Sequence, residues 1–413
     1  MLSQNEYLNK ILRGDALSIL KQLPDESVSC VVTSPPYWAL RDYGSETEVI
    51  WDGKEDCEHK FEQDFCSKCG AWKGQLGLEP DFNLYIKHLC DIFDEVKRAL
   101  KKDGTCWVNM GDTYYTKSGS SFENDNLNPK SKEEIEKTTG INKANKIRGK
   151  GLLQSKNLTL IPFRFAIEMQ NRGWILRNVI IWHKPNSMPS SVKDRFTIDF
   201  EYIFFFVKNK KYWFEQQFEP LKEISIKIAE YGWYGKKLLD GKSYNGVSHI
   251  EKRGERFAPV QGRNKRCVWT ISTKSFKGAH FATFPPDLIE PMILAGCPKF
   301  VCKKCGKPKE RIIQVIPNPE RSQEGRTHSL EEQRQGKTPT PEKGWQTEKQ
   351  FIGWTDCGCG VGFEPGIVLD PFMGSGTTAL VSLKLKRNFV GIELNSEYIK
   401  MAYERIKPYL SNS

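Results

Sequence analysis

The sequence predicts an α/β protein built on a doubly wound sheet, interrupted by small cysteine-bearing insertions. Short apolar runs such as Val28 to Val32, Ile367 to Leu369 and Phe389 to Ile392 lack polar alternation. That pattern belongs to strands covered on both faces. Amphipathic helical stretches separate such runs, as crossover connections in a parallel sheet require. The turn DPFMGSGTT joins one strand to a helix, and the next strand ends in Glu393. A glycine turn at a helix start, with an acid roughly 20 residues on, is a nucleoside-binding arrangement.

With 413 residues, the chain can bury a large core and is expected to hold more than one unit. A hydrophobic content of 38% with 12% aromatics is globular. No apolar run reaches membrane-spanning length, and MLSQNEYLNK lacks the apolar core of a secretory signal. The expectation is a soluble, intracellular, cytoplasmic protein with no membrane partner. A net charge of +11 suits a polyanionic partner, although basic proteins without one are common.

In chain order, Asn9 to Leu12 reads as a strand, Gly14-Asp15 as a turn and Ala16 to Leu23 as a helix. Asp15 lies just past a strand end, where open α/β sheets bind ligands; a plain Asx-turn is the alternative. From Asp81 the pattern Leu84, His88, Ile92, Val96, Leu100 predicts a helix stopped by Asp103-Gly104, before a strand from Thr105 to Met110. Leu160 to Asn171 reads as a helix, and Ile175 to Trp182 and Phe200 to Val207 as an antiparallel strand pair. Between Lys208 and Ser275, Tyr212, Trp213, Tyr231, Trp233, Tyr234, Lys236, Lys237, Arg253, Arg256, Arg263, Lys265 and Arg266 interleave rings with cations. Such a stretch suits bases and phosphates, though an irregular surface would look similar. Phe284 to Leu294 reads as a short helix opened by Pro285-Pro286.

Twelve cysteines in a chain expected inside the cell do not suggest a disulfide framework. Cys30, Cys90, Cys106 and Cys267 stand alone and read as packing residues. Cys57-x-His59 with Cys66-x-x-Cys69-Gly, and Cys302-x-x-Cys305-Gly with Cys357-x-Cys359-Gly, read as two structural zinc sites. Reduced, unligated thiols are the alternative. Four protein ligands leave no open position for catalysis.

Val28 to Thr33 runs into Ser34-Pro35-Pro36-Tyr37. The prolines donate no N–H and hold the preceding residues extended, so the Ser34 hydroxyl, Pro35 carbonyl and Tyr37 ring are presented with little backbone freedom. Acceptors beside an aromatic plate suit a planar molecule with an amino group on its edge; a tight Pro-rich turn is the alternative. In DPFMGSGTT, Gly374 and Gly376 permit close backbone approach, and no Lys follows the second glycine, against a Walker loop. Asp370 would repel a pyrophosphate but suits a cationic amino group. An adenosine with a ribose diol and an amino-acid end, as in S-adenosylmethionine, fits these features.

With both motifs in view, the chain resembles the β-group DNA amino-methyltransferases, in which the catalytic motif precedes the cofactor motif. The segments carrying the likeness are GDALSILKQLPDESVSCVVTSPPYW, IIWHKPN, FATFPPDLIEPMILAGC and VLDPFMGSGTTALVSLKLKRNFVGIEL, and CSKCGAWKGQLGLEP is similar to a segment of a zinc-bearing phage and bacterial subgroup. The resemblance implies a Rossmann-like sheet with circularly permuted motif order. It assigns Ser34, Pro35, Pro36 and Tyr37 to catalysis, Asp15 to the cofactor's adenine amine and Glu393 to its ribose. It places Asp370, Pro371, Phe372, Gly374, Ser375, Gly376 and Thr377 around the methionine end, with Phe284 also at the cofactor. It divides the chain into a catalytic part (1–50), a zinc knuckle (51–78), core (79–207) with a mobile basic loop (113–157), a target-recognition region (208–280), a core helix (281–298), a second zinc insertion (299–362) and a cofactor part (363–413).

The implied reaction moves a methyl group from S-adenosylmethionine to the exocyclic amine of a flipped base in double-stranded DNA, with a cognate restriction endonuclease as a compatible partner. Ser before Pro-Pro-Tyr favours cytosine N4; adenine N6 is the runner-up. A catalytically silent zinc-bearing DNA-binding protein is the rival from another class. Enzymes that methylate a protein glutamine place the two motifs in the reverse order.

Overall fold

A computed structural model of the chain describes residues 1–115, 153–220, 263–274, 284–317 and 347–410. The chain forms two compact units, one comprising Met1–Glu215, Cys267–Pro308 and Val361–Ser413, the other Gln216–Arg266 and Lys309–Gly360. No described helix is long and apolar enough to cross a membrane.

The first unit holds an eight-stranded sheet made of β1 (Lys10–Arg13), β2 (Val28–Thr33), β3 (Leu100–Met110), β4 (Ile175–His183), β5 (Phe200–Val207), β6 (Val268–Thr270), β7 (Ile367–Asp370) and β8 (Asn388–Glu393). Its order is β1-β8-β7-β2-β3-β5-β4-β6. Every neighbouring pair is parallel except β3 with β5 and β5 with β4. β5 is therefore the single strand running the other way, and β4 and β5 form the antiparallel pair that the sequence predicts. Every residue of β2 and β7 is buried.

Side-chain alternation separates two cores. Val31, Val108, Phe204, Phe206 and Leu369 face helices α1 (Ala16–Leu20), α2 (Phe82–Ala99) and α3 (Ile161–Asn171). Cys30, Val32, Trp107, Phe205 and Val368 face α4 (Pro286–Gly296). Helices α5 (Thr377–Lys384) and α6 (Ser396–Leu410) enclose a third cluster around Ile11, Phe389 and Ala402. Apolar residues on both strand faces thus explain a sheet covered on both sides.

Local expectations changed in four places. α1 stops at Leu20 rather than Leu23. α2 ends at Ala99, and β3 starts at Leu100 and runs through Asp103-Gly104, which fall where the register against β2 slips. A register slip absorbs the turn-forming pair without ending the strand. Cys267 is exposed, unlike buried Cys30, Cys90 and Cys106, so it is not a packing residue. Tyr212 packs edge-on against Phe205 at 5.8 Å and its Oη accepts from Arg177 Nε at 3.0 Å, so this ring belongs to the sheet.

The described part of the second unit contains a two-residue pairing of Phe218–Glu219 with Arg263–Asn264 and an antiparallel hairpin, Arg311–Pro317 with Thr347–Trp354. Arg263 and Arg266 both pair with Glu219. Tyr231, Trp233, Tyr234, Lys236, Lys237, Arg253 and Arg256 lie outside the described residues, as does most of the 113–157 loop.

Candidate active site

The site forms where β2 and β7 end side by side. Their register pairs Val368 with Cys30 and Leu369 with Val31, which brings the two motifs to one sheet edge. A crevice at a strand-order reversal is the expected ligand position in such sheets. A cavity of about 570 Å³ opens there. It is lined by Asp15, Ser34, Pro35, Pro36, Tyr37, Phe284, Pro371, Phe372, Gly374, Ser375, Thr377 and Glu393. Twelve of the fourteen residues expected at the catalytic and cofactor positions therefore meet around one space of ligand size.

The other two, Asp370 and Gly376, lie beneath it. Asp370 is fully buried. Its Oδ1 accepts from Thr33 Oγ1 at 2.6 Å and from the Phe372 N–H at 3.0 Å, and its Oδ2 accepts from Thr378 Oγ1 at 2.6 Å. The carboxylate is thus engaged by the protein and does not face a ligand's amino group, which corrects the expectation. Burial pushes its pKa up to about 6, against the pull of those hydrogen bonds. Gly376 caps α5 at φ 80°, and a Cβ there would lie 2.7 Å from Ala402 Cβ, so it serves close loop–helix packing.

The glycine loop is braced by two groups. Arg405 of α6 donates from Nη1 to the Ser375 carbonyl at 2.6 Å, Ser375 Oγ at 2.8 Å and Thr377 Oγ1 at 3.1 Å. Glu393 accepts from the Gly374 N–H at 2.8 Å through Oε2, and from the Leu394 and Asn395 N–H groups at 2.9 and 2.8 Å through Oε1. Burial raises its pKa, and these three N–H groups oppose the rise. Three backbone bonds leave this carboxylate one free lone-pair direction, fewer than a ribose diol would use unaided. Asp15 caps α1 through Oδ1, which accepts from the Ser18 N–H at 2.9 Å, and still lines the cavity.

The catalytic turn is held from below. Tyr85 Oη donates to the Pro36 carbonyl at 2.8 Å, Trp38 Nε1 to the Glu79 carbonyl at 3.0 Å, and the Ala39 N–H to the Gly77 carbonyl at 2.7 Å. The Tyr37 ring packs on Gly111, where a Cβ would come within 2.8 Å of it. Tyr37 Oη donates to Glu201 Oε2 at 2.8 Å and accepts from Asn109 Nδ2 at 2.9 Å. Ser34 Oγ donates weakly to the same hydroxyl at 3.4 Å. Burial, then the nearby Glu201 charge, lifts the Tyr37 pKa well above its usual value, so the phenol stays protonated. Lys184 Nζ pairs with Glu201 Oε1 and lies 4.4 Å from the Trp182 ring centre.

Asn109, Trp182, Lys184, Glu201 and Arg405 escaped the sequence reading. Glu201 carried a signal as the one acid in the apolar run FEYIFFFV, at the strand end that the topology turns toward the site. Arg405 carried none.

The knuckle is a four-stranded antiparallel ribbon of Val49–Trp51, Trp72–Gly74, Phe65–Cys66 and Phe61–Glu62. It brings the ligand atoms of Cys57, His59, Cys66 and Cys69 within 4.8 Å of one another. Cys57 and Cys66 sulfurs are 3.9 Å apart, and Cys69 Sγ is 3.3 Å from His59 Nδ1. A zinc–thiolate tetrahedron has edges of about 3.8 Å, so the group fits zinc. Of the second cysteine group, Cys302 and Cys305 belong to the first unit and Cys357 and Cys359 to the other.

Comparison with known proteins agrees with this construction. The family described as DNA methylase matches residues 28–303 and 363–404. The chain is 32% identical to the type II methyltransferase M.XycI of Xanthomonas campestris pv. cyanopsidis over 97% of this chain and 89% of that one. It is 32% identical to type II methyltransferase M.Cfr9I of Citrobacter freundii, covering 96% and 87%. The solved PvuII DNA methyltransferase (cytosine-N4-specific) aligns over 96% of this chain and 85% of that one, at 16% identity and a TM-score of 0.47. The chain belongs to the DNA methylase family of amino-methyltransferases. As a member of that family, it uses S-adenosylmethionine as its cofactor.

Proposed function

We propose that the chain is a site-specific type II DNA methyltransferase that methylates the N4 amine of a cytosine extruded from duplex DNA. The observation that carries this reading is the single cavity shared by Ser34 to Tyr37 and the Phe372 to Thr377 loop. The names of its relatives as type II methyltransferases support it, and a partner endonuclease reading the same site belongs with that class. S-adenosylmethionine supplies an electrophilic methyl group. The loop from Pro371 to Thr377 holds its methionine end, Glu393 its ribose and Asp15 its adenine.

The amine of cytosine is a poor nucleophile because its lone pair is delocalised into the ring. Ser34 Oγ and the Pro35 carbonyl accept its hydrogens and favour a pyramidal nitrogen. Among the described residues the Pro35 carbonyl takes no hydrogen bond, which leaves it available. Tyr37, which lines the cavity, offers its ring for stacking. Extrusion costs a few kcal/mol, and stacking returns about 1–3 kcal/mol. Both zinc groups are read as structural.

Nucleoside mass spectrometry of DNA methylated by the purified protein tests this. N4-methylcytosine is expected. Methyladenine as the sole product would replace cytosine with adenine, and no labelled methyl transfer to any DNA would leave a silent DNA-binding protein.

A further inference from the structure

We propose that Asn109 reads the amine of the target base, with Glu201 fixing the orientation of its side chain so that a buried carbonyl oxygen meets an N–H that a keto base lacks. The inference rests on the amino-methyltransferase reading above and adds the residue that tells an amine from a carbonyl.

Asn109 lies near the end of β3, one residue past Val108, which pairs in register with Thr33. It therefore sits beside Ser34. It is 4% exposed and lines the cavity. Its Nδ2 donates to Glu201 Oε2 at 2.7 Å and to Tyr37 Oη at 2.9 Å. A carboxylate only accepts hydrogen bonds, and Lys184 holds Glu201 from the other side. Turning the amide over would set its oxygen against that carboxylate, so one orientation is selected. Tyr37 spends its own hydrogen on Glu201 and has none for Asn109.

The consequence is an acceptor without a donor. Asn109 Oδ1 is buried and has no hydrogen-bond partner among the described residues. Buried polar atoms are rarely left this way, and one on a residue that lines a binding cavity points to a donor brought by the ligand. An exocyclic amine supplies that donor, one N–H being shared between Asn109 Oδ1 and the adjacent Ser34 Oγ while the other goes to the Pro35 carbonyl. Uracil in place of cytosine, or hypoxanthine in place of adenine, would bring a carbonyl oxygen toward an oxygen that cannot turn away. Sites built to bond an N–H discriminate strongly against analogues without it.

The test is equilibrium binding of the whole protein, loaded with S-adenosylhomocysteine, to two duplexes. They carry the methylated sequence found in genomic DNA and differ only in target cytosine or uracil (adenine or hypoxanthine if the product is methyladenine). Each target faces an abasic site, so unpairing costs the same. Wild type is expected to prefer the amine at least tenfold. Asn109→Ala, and Glu201→Gln, which frees the amide to turn, are each expected to cut that preference to below threefold. S-adenosylhomocysteine affinity should stay within threefold of wild type, which shows that each variant is folded. Variants that keep the full preference would overturn the role of Asn109 and leave the methyltransferase reading intact. A wild type with no preference for the amine would instead count against both.

Discussion

Thr33 Oγ1 donates a 2.6 Å hydrogen bond to Asp370 Oδ1, joining residues 337 positions apart. One precedes Ser34 and the other opens the glycine loop, so this bond ties the ends of the two motifs together. Thr33→Val keeps the shape and removes the donor. A hydrogen bond to an ionisable group contributes about 1.5–3 kcal/mol, so chemical denaturation should show a loss of that order. Unchanged stability would show that the two strand ends are held together elsewhere.

Asp370 also makes stability depend on pH. Its folded pKa of about 6 exceeds the unfolded value near 3.8, so the folded state binds more protons between those values. Its contribution is therefore most favourable below pH 4 and declines as pH rises to 6, by roughly 3 kcal/mol in all. Asp370→Asn does not titrate. The difference in unfolding free energy between wild type and variant should shift toward the variant across this window, and a flat difference would contradict the buried-carboxyl account.

Arg405 clamps the glycine loop through one nitrogen shared among three oxygens. Arg405→Ala should weaken S-adenosylmethionine binding about tenfold in calorimetry, equivalent to about 1.4 kcal/mol, with little change in DNA affinity. Equal losses of both would point to general unfolding instead.

Tyr37→Phe keeps the ring and removes the oxygen that meets Glu201 and Asn109, whereas Tyr37→Ala removes the plate. Single-turnover methyl transfer should fall further for Tyr37→Ala than for Tyr37→Phe, while both bind cofactor as wild type does. Ser34→Ala should resemble Tyr37→Ala. A fully active Tyr37→Ala would rule out stacking on the extruded base.

Metal analysis should find zinc in the purified protein, and Cys66→Ser should lose one equivalent. Four-ligand sites contribute directly to folding, so chelation should lower the melting temperature. Full stability without metal would assign the cysteines to ordinary packing.

The two motifs that meet at this cavity, Ser34 to Tyr37 and Asp370 to Thr377, were legible because their constraints are local. Proline restricts its own φ and the residue before it, and glycine permits positive φ, whatever surrounds them. The same holds for the spacing of Cys66 and Cys69, which the knuckle uses as expected. Asp370 misled for the opposite reason. Its type and position suit a cationic ligand, yet its hydroxyl partners Thr33 and Thr378 come from other elements.

The order of residues alone settled the strand-and-crossover plan and the permuted order of the two motifs along the chain, since these rest on periodicity and on rules spanning a few residues. Folding in three dimensions settled which side chains complete the site. Asn109, Glu201, Lys184 and Arg405 acquire meaning through partners on neighbouring strands or helices. A hydrogen bond needs its partner within about 3 Å, and that proximity follows from strand order and register rather than from any local pattern.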